Sequence, residues 1–248
     1  MRNYPIDETP PKIFLIHPSV GFKQREVFIR EQLHPLGLDY EIVSECDAGS
    51  DSLKSKSEKW FGGHIINATD NIKSCTAKHL SAYEKILERN LNGALILEDD
   101  VRIDRRFREI LLKSISELEQ RKEFRDTAVI ISYENTRLRF IERSRRKKGQ
   151  LLYKGDRDRM AAAYYINNAA CKTLLDHAMK EKLKDPIDLE HNKALRNGLI
   201  TYLWCQPAVA TQGSFDGTFT TSLGKKKKFT RFRWNTKLLY HKLLYWLR

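Results

Sequence analysis

Residues 12 to about 207 predict an α/β fold with a largely parallel sheet. Two observations carry this. Short apolar runs alternate with longer amphipathic stretches along the whole segment. Gly, Pro and Asn cluster between the runs and punctuate them. The chain has 248 residues, 41% hydrophobic and 31% charged, enough for one large α/β domain with a very polar surface, with or without a small appendage.

The elements follow in order. "KIFLI" (12–16) is a short apolar strand after a Pro-rich start. "KQREVFIREQLHPLG" reads as a helix stopped by His34-Pro35 and Gly37. "YEIVSECDA" (40–48) returns to strand, and 49–71 reads as irregular. "NIKSCTAKHLSAYEKILERN" has helical spacing at Ile72, Cys75, Leu80, Tyr83, Ile86 and Leu87, and Asn92-Gly93 turns the chain into the strand "ALIL". "RFREILLKSISELEQR" is an amphipathic helix and "TAVIISY" (127–133) a strand. After a basic block come the strand "MAAAYYI" (160–166) and the helix "NNAACKTLLDHAMKEKL". A short helix follows Pro186, and "LITYLWCQP" (199–207) is a last strand.

Charge is segregated. The formal net charge is +13, and no acidic residue follows Asp216. Lys225 to Lys228, Arg231, Arg233, Lys237, Lys242 and Arg248 lie in the tail, and a second basic block spans Arg137 to Arg159. Such segregation points to an anionic partner: nucleic acid, a membrane surface or a phosphorylated substrate. In the tail, Leu238, Leu239, Leu243, Trp246 and Leu247 fall near helical spacing between the cations, which suits the plane of an anionic membrane or a helix packed on the domain. Cys46, Cys75, Cys171 and Cys205 show no metal-type or disulfide spacing, so a reducing cytoplasm is expected. Neither a secretory signal nor a membrane span is expected.

"ALILEDDV" (94–101) runs from an apolar strand into Glu98, Asp99 and Asp100. In parallel α/β sheets ligands sit beyond the carboxyl ends of strands. Alternation along a strand puts Glu98 and Asp100 on one side and turns Asp99 away. Two such carboxylates suit a hard divalent cation, Mg or Mn; a solvated acidic turn, or an acidic start to the next helix, is the other reading. Neither a GxGxxG after the first strand nor a GxxxxGK[ST] is present, which removes the common dinucleotide and P-loop solutions.

The helix "CTAKHLSAYEKI" (75–86) followed by "ALILEDDV" resembles glycosyltransferase family 25, the lipooligosaccharide glycosyltransferases, in which a Cys-xx-Ser-His stretch starts a helix and an "ALILEDD" strand follows. "IFLIHPSVGFKQREVFIREQLHPLGLDYEIVSECDA", "AAAYYINNAACKTLL" (161–175) and "DPIDLEH" (185–191) resemble further family segments in the same order. The likeness covers most of residues 12 to 215. The chain departs at His17, where the family has Asn, at Lys73, and at Lys78, which stands for a Ser before His79.

The resemblance implies a GT-A-like nucleotide-sugar transferase domain over 1–215, with 216–248 as a basic amphipathic tail. It implies that the triplet is an acid motif of the DxD type. Glu98 would touch the donor's ribose or support the site, Asp100 would hold Mn or Mg, and the cation would bridge the diphosphate of a UDP-hexose, galactose or glucose. Asp99, Arg25 and His79 join the donor-binding set, and His191 is a further candidate ligand to the cation. Inverting transfer to an oligosaccharide or lipid-linked glycan also needs a base, for which Asp188 is the candidate; the cap of the 189–197 helix is its other reading. His79 and His191 also read as core histidines, and Arg30 as a solvated helix face. The enzyme is expected to be peripheral on the cytoplasmic side of the inner membrane, with no nucleic-acid partner. A metal-dependent nuclease and a basic nucleic-acid-binding module are the competing readings.

Overall fold

A computed structural model describes residues 9–62, 69–216, 218–219 and 231–247. The lysine run 225–228, the start of the chain and part of the stretch expected to be irregular lie outside the described residues.

Seven strands form the central sheet: β1 (Lys12–Ile16), β2 (Glu41–Val43), β3 (Gly93–Glu98), β5 (Val129–Ser132), β6 (Leu152–Lys154), β7 (Ala163–Asn167) and β8 (Thr201–Cys205). Two short strands, β4 (Val101–Ile103) and β9 (Ala210–Gln212), pair as a separate antiparallel ribbon. The sheet order is β2-β1-β3-β7-β5-β8-β6. Pairings are parallel from β2 to β3 and between β5 and β8, whereas β7 and β6 run against their neighbours. The sheet is therefore mixed and mostly parallel, the α/β class expected.

Both faces of the sheet are covered, so its central strands are apolar on both sides. Ile13, Leu15, Leu95, Leu97, Ile131 and Leu203 point to one face, under α1 (Lys23–Leu33) and α4 (Phe107–Gln120). Phe14, Ile16, Ile96, Ile130, Tyr164 and Ile166 point to the other, under α2 (Asp51–Phe61), α3 (Asp70–Glu88), α5 (Asn168–Glu181) and α6 (Ile187–Arg196). The neighbours β3 and β7 approach closely at Gly93, where an added Cβ would lie 2.6 Å from the Ile166 carbonyl oxygen.

Helix α2 lies where an irregular stretch was expected. Ser50 caps it, its hydroxyl accepting from the Leu53 amide at 3.1 Å, and Gly62 ends it with φ 59°. Only Leu53, Trp60 and Phe61 are buried, too few apolar positions in eleven residues to show a period.

After β9 comes a single helical turn, α7 (Gly213–Asp216), and then α8 (Arg231–Leu247). Helix α8 is packed on the domain by one face. Trp234 is buried with Leu138 and Phe140, and Tyr245 packs on Phe140 with ring centroids 5.7 Å apart. Its other face leaves Phe232, Leu239, Tyr240, Leu243 and Leu247 exposed. No helix among the described residues is long and apolar enough to cross a membrane.

Candidate active site

Strand β3 stops at Glu98, and Asp99 and Asp100 form a turn before β4. The strand alternation therefore does not extend across the triplet, which corrects the expectation that Asp99 faces away. All three carboxylates border one pocket of about 260 Å³. Its other walls are the ends of β1 and β2, the first turns of α3, and Gln212 and Ser214.

Each carboxylate has its own surroundings. Asp99 Oδ2 accepts from His17 Nδ1 at 2.9 Å, and Oδ1 accepts from Arg25 Nη1 at 3.1 Å. Arg25 stacks in turn on Phe22 and Phe219. Glu98 Oε2 accepts from the Gln212 side chain at 2.8 Å, while Oε1 lies 3.9 Å from Cys75 Sγ and 3.5 Å from His79 Nε2. Asp100 Oδ2 accepts from the Ser214 amide at 3.3 Å, and its carbonyl accepts from the Gly213 amide at 2.8 Å. Its Oδ1 is buried without a partner among the described residues. A side chain at Gly213 would meet the Asp100 carbonyl oxygen at 2.7 Å, so the close return of the chain here requires glycine.

A second cluster closes the pocket at the end of β2. Lys78 is 2% exposed; its ammonium donates to the carbonyls of Val43 at 3.0 Å and Glu45 at 2.9 Å and pairs with Asp47 at 2.8 Å. Asp47 also accepts from the Ser19 amide at 3.1 Å. Burial opposes ionisation of Asp47, but hydrogen bonds from Lys78 and Ser19 outweigh it and hold its pKa below the usual carboxylate range.

Among the described residues, the two cations on the pocket wall, Lys78 and Arg25, are thus committed to Asp47 and Asp99. No cation among the described residues is in contact with Glu98 or Asp100, and their pKa values rise to about 7. For Glu98 the causes are burial and then repulsion by Asp99; for Asp100 they are burial, then Glu98 and Asp99. The orphaned Asp100 Oδ1 and this uncompensated charge fit an oxygen-ligated divalent cation.

Behind Glu98 a hydrogen-bonded row crosses the core. His79 Nδ1 meets Tyr164 Oη at 2.8 Å, Tyr164 Oη meets Tyr83 Oη at 2.5 Å, and Tyr83 Oη meets His191 Nε2 at 2.9 Å. Burial lowers the pKa of both histidines to about 3, so both are neutral. His191 lies at the far end of this row and not on the pocket wall, so it is not a partner ligand to Asp100. His79 is fully buried behind the pocket wall, its Nε2 directed at Glu98.

Asp188 sits in the first turn of α6, whose N-cap is Pro186, so the cap reading is corrected. Its acidic charge there complements the helix dipole. Burial, then the charges of Asp158 and Glu98, raise its pKa to about 6. Arg30 is exposed on α1, as a solvated face requires.

A family model for glycosyltransferase family 25 (LPS biosynthesis protein) matches residues 19–189. The chain belongs to glycosyltransferase family 25. It is a glycosyltransferase of lipopolysaccharide biosynthesis. Among solved structures, one described as a glucose-1-phosphate thymidylyltransferase from Bacillus anthracis in complex with a sucrose is similar at a TM-score of 0.43 and 9% identity, over 93% of this chain and 95% of that one. No curated protein matches the chain.

In this family 25 chain, Glu98, Asp99, Asp100 and Arg25 share one pocket wall. Sequence reasoning missed Asp47, Ser19, Gln212 and Ser214. Lys78 stood out only as a departure from the family pattern, although a lysine in the buried stripe of an amphipathic helix signals a paired internal cation.

Proposed function

We propose that the chain is an inverting, cation-dependent hexosyltransferase that moves galactose or glucose from a UDP-sugar to a lipooligosaccharide-type glycan. The observation that carries this reading is the trio of strand-end carboxylates on one pocket wall, two of them raised to about 7 by burial and by the charges of their carboxylate neighbours. Asp100 would hold Mn or Mg through its unpartnered Oδ1. When bound, the cation offsets the charge developing on the nucleoside diphosphate.

The remaining roles belong to side chains. Asp99 is locked by His17 and Arg25, so it fixes the turn that presents Asp100 and leaves Arg25 at the pocket edge for donor phosphate. Asp47, held ionised by Lys78, is placed to accept from a ribose hydroxyl, and Glu98 supports the same end of the donor. Asp188 is the base: with a pKa of about 6 it is ionised at neutral pH and basic enough to take the acceptor hydroxyl proton. The outer face of α8, apolar with Lys237 and Lys242 beside it, would rest on an anionic membrane surface on the cytoplasmic side, where a lipid-linked acceptor is displayed.

The test is a panel of sugar nucleotides assayed for cation-dependent release of nucleoside diphosphate. UDP-hexose turnover with Mn or Mg, lost in Asp100→Ala, supports the reading. Turnover indifferent to chelator refutes the cation role.

A further inference from the structure

We propose that Cys75, His79 and Glu98 form a second cation site, distinct from the one at Asp100 and suited to a thiophilic divalent ion of the zinc class. One ligand atom from each of the three residues lies within 4.8 Å of the others. Cys75 and His79 are one turn apart on α3, so helical geometry places Sγ and Nε2 on the same side. Glu98 closes the triangle from the end of β3, its Oε2 held by Gln212 and its Oε1 turned to the pair.

The distances are close to those a tetrahedral ion needs. Bonds of about 2.1 Å to nitrogen or oxygen and about 2.3 Å to sulfur imply ligand-to-ligand edges of about 3.4 to 3.6 Å. The structure has 3.5 Å between His79 Nε2 and Glu98 Oε1 and 3.9 Å between Cys75 Sγ and Glu98 Oε1. Shifts of a few tenths of an ångström complete those two edges. Cys75 and Glu98 border the pocket, which gives an entry path and an open fourth position.

Two further features point to a cation. His79 is 0% exposed, yet its Nε2 has no hydrogen-bond partner among the described residues. Its other nitrogen is anchored by Tyr164, the outer partner that fixes a ligating imidazole. The row beyond Tyr164 runs in either of two senses. With His79 Nδ1–H donating to Tyr164, Tyr164 to Tyr83 and Tyr83 to His191, Nε2 offers a lone pair to the ion. With every donor reversed, Nε2 carries the proton and faces the Glu98 carboxylate. Cation capture selects the first sense: the His79 Nε2 proton leaves as the ion binds, and His191, now an acceptor at Nε2, carries its proton on Nδ1. The soft thiol and imidazole separate this site from Asp100, whose neighbours supply oxygen and amide groups alone.

The test uses the full-length chain stripped with chelator, without nucleotide sugar, so that its outcome is independent of the donor assignment. Zinc is titrated by calorimetry and against a chromogenic chelator, and cobalt is followed by absorbance. The expected result is one equivalent of zinc more than Cys75→Ala binds, and a sulfur-to-cobalt charge-transfer band that Cys75→Ala lacks. Asp100→Asn should retain both. Tyr164→Phe, which keeps the ring but loses the hydroxyl, should weaken zinc by about tenfold or more. Melting curves of each variant confirm that it is folded. Equal zinc binding by wild type and folded Cys75→Ala, or loss of the band in Asp100→Asn alone, overturns the proposal.

Discussion

Replacing Asp100 by Asn should make the cation-free protein more stable at alkaline pH. The carboxyl is 3% exposed, and burial with repulsion from Glu98 and Asp99 raises its pKa from 3.8 to about 7. A raised carboxylate pKa means that the folded state binds the proton more tightly than the unfolded chain. That contribution to stability is complete below about pH 4 and is lost as the pH rises through about 7. Three pKa units at about 1.36 kcal/mol each give about 4 kcal/mol as the upper limit of the penalty at pH 8. Asn keeps an acceptor for the Ser214 amide but must bury an amide in place of the charge, which returns roughly half. The expected gain is about 2 kcal/mol, or roughly 4 to 8 °C in Tm for a chain of this size. Thermal unfolding in chelator at pH 5 and pH 8 is the assay. Wild type should lose stability between the two, the variant should lose less, and Mn should raise the wild-type Tm more at pH 8 than at pH 5. A variant that melts at or below wild type at pH 8 would show that the carboxylate charge is already compensated.

Asp188→Asn should lower kcat by roughly 100-fold or more with donor Kd unchanged, and wild-type kcat/KM should climb as pH rises through about 6; preserved turnover with a lowered Tm would reduce Asp188 to a structural residue. Arg25→Met should cost about 3 kcal/mol or more in urea unfolding, because Asp99, 5% exposed, loses a charged partner; Arg25→Met with Asp99→Asn should recover part of it, and strict additivity would disprove the coupling. Leu239→Glu with Leu243→Glu, both on the exposed face of α8, should abolish sedimentation with anionic vesicles at an unchanged Tm; indifference of the wild type to such vesicles removes the membrane from the proposal.

Much of the frame is local and was legible. A strand such as β3 is recognised because four apolar residues in a row need a sheet covered on both faces, and "EDD" at its end marks where ligands bind. Helices α3, α4 and α5 carry enough apolar positions at helical spacing to declare themselves, whereas α2 has three buried side chains and depends on Ser50 and Gly62 for its ends. The direction of Asp99 was misread because side-chain alternation holds only while the strand continues, and β3 stops one residue earlier.

What the tertiary structure alone decided is every contact between distant segments. The antiparallel placement of β7 between β3 and β5 follows from long-range pairing, which no local period encodes. Gln212 and Ser214 reach the acid cluster because β9 pairs with β4, and Lys78 meets Asp47 because the first turns of α3 lie over the end of β2. His191 could not be separated from the metal ligands by composition, since a histidine in an amphipathic helix has the same spacing whether it faces an ion or Tyr83. The residue types set which chemistry this chain can perform. The burial and pairing of those residues set which carboxylates remain uncompensated, because the energy of a charge depends on the groups that folding brings beside it.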